Sequence, residues 1–238
     1  MKKIGVYFGT FAPMHKGHLQ QVYQASFEND ELLLVVSGYD SDRGAKIGLG
    51  LEKRLSAVTA YFSDESHIHV RKLDENDLPA MPNGWNEWTH RLLSLLTGIA
   101  ADDIFQATFY VGEAEYLVEL EKRFPTDQNT YLTKIADRSN IPISATEIRS
   151  QPHKYWDAIL PTYQSYFQES VKINTTDVAL MRRLNKSFAR VGLSFVSSDQ
   201  TGGDGVLQLK HLSPLADYYE AIDWLNAHYQ LQFLRLKK

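Results

Sequence analysis

Short apolar runs alternate with amphipathic stretches through the first two-thirds of the chain, and this alternation constrains the fold more than any other feature. Five runs are typical of buried strands, at 4–8, 32–36, 67–71, 107–111 and 131–135. Apolar residues at helical spacing lie between them, at 17–27, 51–62, 85–95 and 113–123. Strands that alternate with helices predict right-handed βαβ units and a parallel sheet covered on both faces. We therefore expect an α/β protein whose ligands bind beyond the carboxyl ends of the strands.

The character of the sequence changes near residue 170. The pattern there predicts a helix at 175–191, strands at 193–196 and 206–209, a helix at 215–228 and a last strand at 231–236. The glycine-rich segment 202–205 is typical of a hairpin turn. We predict two domains, a larger one at 1–170 and a small α+β domain at 171–238, whose role the sequence leaves open.

Composition narrows the cellular setting and the classes of partner. The 238-residue chain has no cysteine, which excludes disulfides and cysteine nucleophiles within it and suits a reducing cytoplasm. Its formal net charge of −4 is unlike the basic excess of proteins that bind nucleic-acid polymers. Gly9 and Thr10 interrupt the apolar N-terminal run, so we expect no signal peptide. No apolar stretch approaches the roughly 20 residues that span a bilayer. We expect a cytoplasmic protein without nucleic-acid or membrane partners.

The segment from Gly9 to His18 follows the first predicted strand and opens a helix. Its small residues allow a sharp turn that brings backbone N–H groups close to a bound anion. The helix N-terminus behind it favours phosphate. Two imidazoles three residues apart, His15 and His18, can stabilise charge on a transferring phosphorus and its leaving group. The alternative is that both histidines are ordinary polar residues at a helix start.

Two segments of the chain resemble signatures of the HxGH nucleotidyltransferase superfamily. The first is Gly9-Thr10-Phe11-Ala12-Pro13-Met14-His15-Lys16-Gly17-His18, and the second is Ile143-Ser144-Ala145-Thr146-Glu147-Ile148-Arg149. The resemblance implies a Rossmann-like parallel sheet. It also implies catalytic roles for His15, His18 and Arg149 and contacts to ATP from Gly9, Thr10, Phe11, Ser144 and Thr146. A guanidinium suits this task because its planar fork binds two phosphate oxygens. Alone, the second segment is also a good helix N-cap.

Further segments are similar to NadR-type nicotinamide mononucleotide (NMN) adenylyltransferases, over roughly residues 3–170. They are 82–88, which reads Pro-Asn-Gly-Trp-Asn-Glu-Trp, the pair Asp137-Arg138, and 151–156. The resemblance implies that Asn83 and Trp85 hold the pyridine ring of the mononucleotide, and an indole face suits a cationic pyridinium. The alternative is that Trp85 and Trp88 both belong to the apolar core, which we expect for Trp88.

Several charged residues are candidates for contacts to the substrates. Lys46 and Arg43 lie in a glycine-containing loop at 41–50, which either closes over substrate or is only a crossover. Arg54 resembles the family's arginine after this loop, so we expect it to contact the nicotinamide nucleotide. Glu113 ends the fourth predicted strand, where relatives place residues near the adenine. Its alternative role is that of a negative residue at a helix N-terminus.

The reaction that this resemblance implies is adenylyl transfer from ATP to NMN, giving NAD and pyrophosphate. Mg²⁺ is expected to enter with the substrate phosphates, so no protein metal ligand is predicted. Longer relatives carry a helix-turn-helix and a P-loop kinase, but here the first strand begins at residue 4 and no Gly-Lys-Ser/Thr occurs. We therefore expect neither module. Two alternatives remain: another acceptor such as nicotinic acid mononucleotide, or a catalytically weak NAD- or ATP-binding sensor. The C-terminal segment leaves a homo-oligomer possible.

Overall fold

The structure, a computed structural model, describes residues 1–101, 103–137, 140–198 and 206–232. The chain divides into two compact units, Met1–Ala145 and Thr146–Lys238. Within the described part of the chain, no helix combines the length and apolar character needed to cross a membrane.

The first unit contains a five-stranded sheet in which every pairing is parallel. Its strands are β1 (Lys2–Gly9), β2 (Glu31–Gly38), β3 (Ile68–Asp74), β4 (Phe105–Val111) and β5 (Thr130–Ile135). Their order across the sheet is β3-β2-β1-β4-β5. The chain therefore has the α/β, Rossmann-like fold that the alternation of strands and helices predicts.

Helices cover both faces of this sheet. They are α1 (Lys16–Glu28), α2 (Leu51–Tyr61), α3 (Trp85–Ala100) and α4 (Ala114–Glu121). Because side chains alternate along a strand, Leu33 and Val35 of β2 join the core formed with α3 and α4. Leu32 and Leu34 are completely buried as well but lie outside that cluster, and α1 and α2 contact β2. Burial on both faces explains why the strands read as continuous apolar runs.

The described residues from Ala145 onward form three short strands and four α-helices. The elements are α5 (Ala145–Ser150), α6 (Pro161–Gln164), β6 (Glu169–Ile173), α7 (Val178–Phe188), β7 (Leu193–Ser197), β8 (Val206–Leu207) and α8 (Pro214–His228). Both β7 and β8 pair with β6 in parallel, on opposite sides of it. β7 and β8 are therefore not neighbours in the sheet, and the segment predicted as a hairpin turn between them, 202–205, lies outside the described residues. Glycines indicate backbone freedom but do not specify the pairing partner of the next strand.

The first part of the second unit packs on its sheet rather than forming a linker. The ring of Trp156 lies so close to Gly192 that an added Cβ would come within 2.1 Å of it. A ring nitrogen of His153 is 2.7 Å from the carbonyl oxygen of Val191. These contacts explain why the compact unit begins at Thr146, earlier than the domain boundary predicted at residue 170, which stays a prediction. The strand predicted at 231–236 and the segment 202–205 lie largely outside the described residues.

Candidate functional site

The segment between β1 and α1 places its backbone at the carboxyl end of the central strand. Phe11 adopts a φ of 48°, a left-handed conformation that is unusual for a residue with a Cβ. Its ring is buried, contacts Tyr7 at a centroid distance of 5.9 Å and meets the ring of His18 edge-on at 5.2 Å. A Cβ on Gly9 would come within 3.0 Å of the Phe11 ring. Gly9 and Phe11 thus determine together how the chain turns from the strand into the helix.

His15 and His18 form a close pair of tilted rings at the N-terminus of α1. Their ring centroids are 3.8 Å apart, with an angle of 32° between the planes. His15 is the N-cap, and its Nδ1 accepts a hydrogen bond from the N–H of Gly17 at 3.2 Å. The Nδ1 of His18 accepts one from the N–H of His15 at 3.4 Å. This reciprocal pattern is a capping box in which both members are histidines.

The capping bonds determine which ring nitrogen can donate. A nitrogen that accepts a bond from an N–H carries no proton, so the neutral form of each imidazole is protonated at Nε2. Both residues therefore present a ring donor of the kind that binds phosphate oxygen. His15 is buried and His18 is half-buried.

Arg54 lies beneath this segment rather than at its surface. The guanidinium is completely buried; Nη1 donates to the carbonyl oxygens of Thr10 at 2.6 Å and Ser37 at 3.2 Å, and Nη2 forms an ion pair with Asp42 at 2.5 Å. Asp42, 5% exposed, also accepts a hydrogen bond from the N–H of Gly44. Arg54 thus joins the loops that follow β1 and β2. Its contact with the nicotinamide nucleotide stays a prediction.

The residues predicted to hold the pyridine ring differ in their surroundings. Asn83 is exposed, just before α3. Trp85 is the first residue of α3 and is 3% exposed. Its ring meets Trp88 edge-on at 5.7 Å and Tyr116 at 5.0 Å. Trp88 lies in the core, as expected. The burial of Trp85 favours a core role for it too, and its stacking on a pyridine ring stays a prediction.

Glu75, which the sequence patterns did not single out, lies just beyond β3. Its Oε1 accepts a hydrogen bond from the indole N–H of Trp88 at 3.0 Å, and the side chain of Ser37 bonds it as well. Burial raises the pKa of the Glu75 carboxyl above its usual range. Its phenolic neighbour Tyr116 has a pKa raised to about 12, first by burial and then by the charge of Glu75. The predicted strand ends at residue 71, four residues before Glu75, so no sequence signal marked this position.

The remaining predicted contacts in the first unit are exposed. Lys46 lies in a 3-10 turn, Ala45–Ile47, within the loop after β2. Glu113 is the N-cap position of α4, although its side chain makes no capping hydrogen bond. Ser144 is exposed, at the end of the first unit. Their contacts with ATP stay predictions.

The second signature opens a helix, as its sequence indicates. α5 begins at Ala145, and Nη2 of Arg149 donates to Oγ1 of Thr146 at 3.0 Å. This bond holds the guanidinium over the first turn of its own helix. Thr146 and Arg149 belong to the second compact unit, and Arg138 lies outside the described residues.

A polar cavity of about 520 Å³ lies in the second unit beyond the carboxyl ends of β6 and β7. Its lining includes Thr175 and Asp217, both more than nine-tenths buried. Asp177 caps α7 by accepting hydrogen bonds from the N–H groups of Ala179 and Leu180. The chain's own carboxylate therefore takes the helix N-terminus that a phosphate would otherwise use.

Comparison with known proteins gives a consistent result. No profile of a protein family matches the chain. The trifunctional NAD biosynthesis/regulator protein NadR of Salmonella typhimurium is 28% identical over 184 residues, which are 72% of this chain and 42% of that protein. Its counterpart from Escherichia coli is 25% identical over 185 residues, with the same coverage. The chain thus matches less than half the length of these curated relatives.

Solved structures extend the likeness to the whole chain. A NadR protein in complex with NR is 30% identical, with a TM-score of 0.81, and the match covers 100% of this chain and 99% of that one. A NadR structure with NAD and AMP-PNP has a TM-score of 0.79 and the same identity and coverage. Identity of this level over nearly the full length of a relative shows that the chain belongs to the NadR family.

Proposed function

We propose that this chain transfers the adenylyl group of ATP to NMN, giving NAD and pyrophosphate. The observation that carries the proposal is the close pair of His15 and His18, whose Nδ1 atoms accept hydrogen bonds from backbone N–H groups at the start of α1. Membership of the NadR family supports a role in NAD biosynthesis, and NadR structures hold NR, NAD and AMP-PNP. The fold supports it too, because the pair lies beyond the carboxyl end of a central parallel strand.

The reaction is an in-line displacement at the α-phosphorus of ATP. An oxygen of the NMN 5′-phosphate forms the new P–O bond while the bond to the oxygen bridging the α- and β-phosphates breaks. The electron pair leaves with pyrophosphate. The attacking phosphate is already anionic, so the protein needs no general base. Positioning and stabilisation of charge on the leaving group are the tasks left to it.

The histidine pair suits the second of these tasks. In the neutral form each ring donates through Nε2, so the pair can hydrogen-bond phosphate oxygens that gain charge as the bridging bond breaks. Backbone N–H groups at the start of α1 add a positive dipole. The described residues contain no group of three His, Asp or Glu side chains that could hold a metal ion. Mg²⁺ would enter bound to the substrate phosphates and water, where it would neutralise phosphate charge.

The test is pyrophosphate release by purified protein with ATP and Mg²⁺, comparing NMN, nicotinic acid mononucleotide and no acceptor. His18→Ala should lower kcat about 10²–10³-fold, with a smaller change in KM, because the lost bond acts mainly in the transition state. His90→Ala is the matched control, since His90 is an exposed histidine on α3, and it should behave as wild type. Unchanged turnover of the His18 variant would remove His18 from the catalytic group.

A second function stays open because of one observation, the polar cavity of the second unit. Such a cavity favours a unit that binds a small molecule of its own, as a sensor would. No release of pyrophosphate with either acceptor, together with retained binding of ATP or NAD, would favour this alternative.

A further inference from the structure

Glu75 is held in a fixed position between the sheet and α3. Its backbone N–H donates to the carbonyl oxygen of Gly38, the last residue of β2, at 2.9 Å. Its own carbonyl oxygen accepts a hydrogen bond from the N–H of Leu78 at 3.1 Å. The side chain is tied by Trp88 and Ser37. A carboxyl group anchored at backbone and side chain has little freedom to move away from an incoming ligand.

Trp88, the hydrogen-bond partner of Glu75, contacts Trp85, one of the two residues predicted to hold the pyridine ring. Trp88 lies one helical turn after Trp85, and the two indoles touch edge to face. Phe8 of β1 meets Trp88 at a centroid distance of 5.1 Å. The aromatic wall therefore extends from the central strand to the start of α3, with Glu75 bonded to its polar edge. Burial is the first influence on the Glu75 carboxyl and raises its pKa, while the bonds donated by Trp88 and Ser37 act in the opposite direction and favour the ionised form.

We propose that Glu75 is the residue that selects a nicotinamide over a nicotinic acid acceptor, and this rests on the proposed adenylyl transfer. The two mononucleotides have the same cationic ring and phosphate and differ at one substituent. The amide is neutral and offers N–H donors, whereas the acid is a carboxylate at neutral pH. A fixed carboxylate in the wall of the ring site accepts from the amide and repels the acid.

A purely structural role for Glu75 makes a different prediction. If the carboxyl group only anchors Trp88, its loss should weaken the binding of NMN and of nicotinic acid mononucleotide to a similar extent. Glu75→Gln retains a side-chain oxygen that can accept from Trp88 and removes the charge. Glu75→Asp retains the charge and shortens the reach toward Trp88. The proposal predicts that selectivity follows the charge, so Asp keeps the preference for NMN and Gln loses it.

The experiment measures two quantities for wild type, Glu75→Gln and Glu75→Asp. Calorimetric titration gives the Kd of each mononucleotide, and pyrophosphate release gives each kcat/KM. Asp77→Asn is the matched control, because Asp77 is an exposed acid of the same loop that pairs with Arg91. Circular dichroism and thermal melting establish that each variant is folded. In wild type we expect NMN to bind more tightly than nicotinic acid mononucleotide. Glu75→Gln should reduce the ratio of their affinities about tenfold, mainly because the acid binds more tightly.

The outcomes separate this proposal from the proposed function. The role of Glu75 is supported if the preference for NMN over the acid falls in Glu75→Gln but persists in Glu75→Asp and Asp77→Asn. Three outcomes overturn the role of Glu75. Wild type binds both mononucleotides equally, wild type binds neither, or Glu75→Gln keeps the preference for NMN unchanged. Wild type could also bind NMN selectively, lose this selectivity in Glu75→Gln and release no pyrophosphate. That result would contradict the proposed adenylyl transfer and still support the role of Glu75 in selectivity.

Discussion

At the scale of single residues, Arg54 and Asp42 form an ion pair that is almost completely buried. In an amphipathic helix a charged residue next to the apolar stripe is expected to face water. Here the guanidinium is enclosed and bonds the carbonyl oxygens of Thr10 and of Ser37 in β2 besides the carboxylate. A buried charge is tolerated only when it is paired and hydrogen-bonded in this way.

Removing one member of this pair should therefore be costly. Arg54→Met keeps the volume of the side chain and leaves Asp42 buried without its cation, so we expect a loss of about 3–5 kcal/mol in the free energy of unfolding. Lys53→Met, at the exposed neighbouring position, should change it by about 0.5 kcal/mol or less. Urea unfolding of both variants measures the difference. If the two variants are equally stable, the pair does not hold the loops.

At the scale of elements, Gly192 and Trp156 determine how the start of the second unit meets its sheet. Gly192 precedes β7 with a φ of 78°, a left-handed conformation that favours glycine. The Trp156 ring occupies the space where any Cβ would lie. The position thus has two independent reasons to be glycine, one in the backbone and one in the packing.

A methyl group at this position should disturb both features. We expect Gly192→Ala to destabilise the protein by about 2 kcal/mol or more, because strain in the backbone adds to overlap with the indole. Gly98→Ala is the control, since Gly98 lies in α3 with nothing within 4 Å of an added Cβ. That change should stabilise the helix by about 0.5–1 kcal/mol. Thermal unfolding of the two variants tests the prediction, and a shift in the same direction for both would contradict it.

At the scale of the whole molecule, one network joins parts of the first unit that are far apart in the sequence. Glu28 at the end of α1 accepts hydrogen bonds from Lys134 of β5 at 2.7 Å and from Tyr110 of β4 at 2.6 Å. Lys134 and Tyr110 lower the pKa of the Glu28 carboxyl to about 2, in that order of importance. A carboxyl group with a lowered pKa stabilises the fold when it is ionised.

This network should contribute to acid stability. Its contribution is present above the ordinary pKa of 4.5 and is lost as the pH falls toward about 2. Because Glu28 is 39% exposed, solvent screening keeps the contribution at about 1 kcal/mol or less. Glu28→Gln should therefore be less stable than wild type at pH 6, and the difference should shrink between pH 4.5 and 2. Urea unfolding across this range measures it, with exposed Glu115→Gln as control. If the difference in free energy of unfolding between wild type and Glu28→Gln stays constant across this pH range, ionisation of Glu28 does not contribute to acid stability.

Much of the architecture could be read from local pattern. The five apolar runs coincide with the strands of the first sheet, and the helix starts at Lys16 and Trp85 follow the predicted periodicity closely. This succeeds most clearly for β2, which is buried on both faces and therefore continuously apolar. Local pattern was less informative in the second unit, where β8 is two residues long and its pairing depends on β6.

Local sequence patterns were sufficient to predict the α/β class, the order of strands and helices in the first unit, and the position of the histidine pair after the central strand. These depend on periodicity and on residues close together in the chain. Only the tertiary structure decided that Arg54 is buried against Asp42, that Trp88 bonds Glu75, and that β7 and β8 lie on opposite sides of β6. Such features join residues distant in sequence. Their free energy comes from desolvation and from exact pairing in three dimensions, which no local pattern of residue types records.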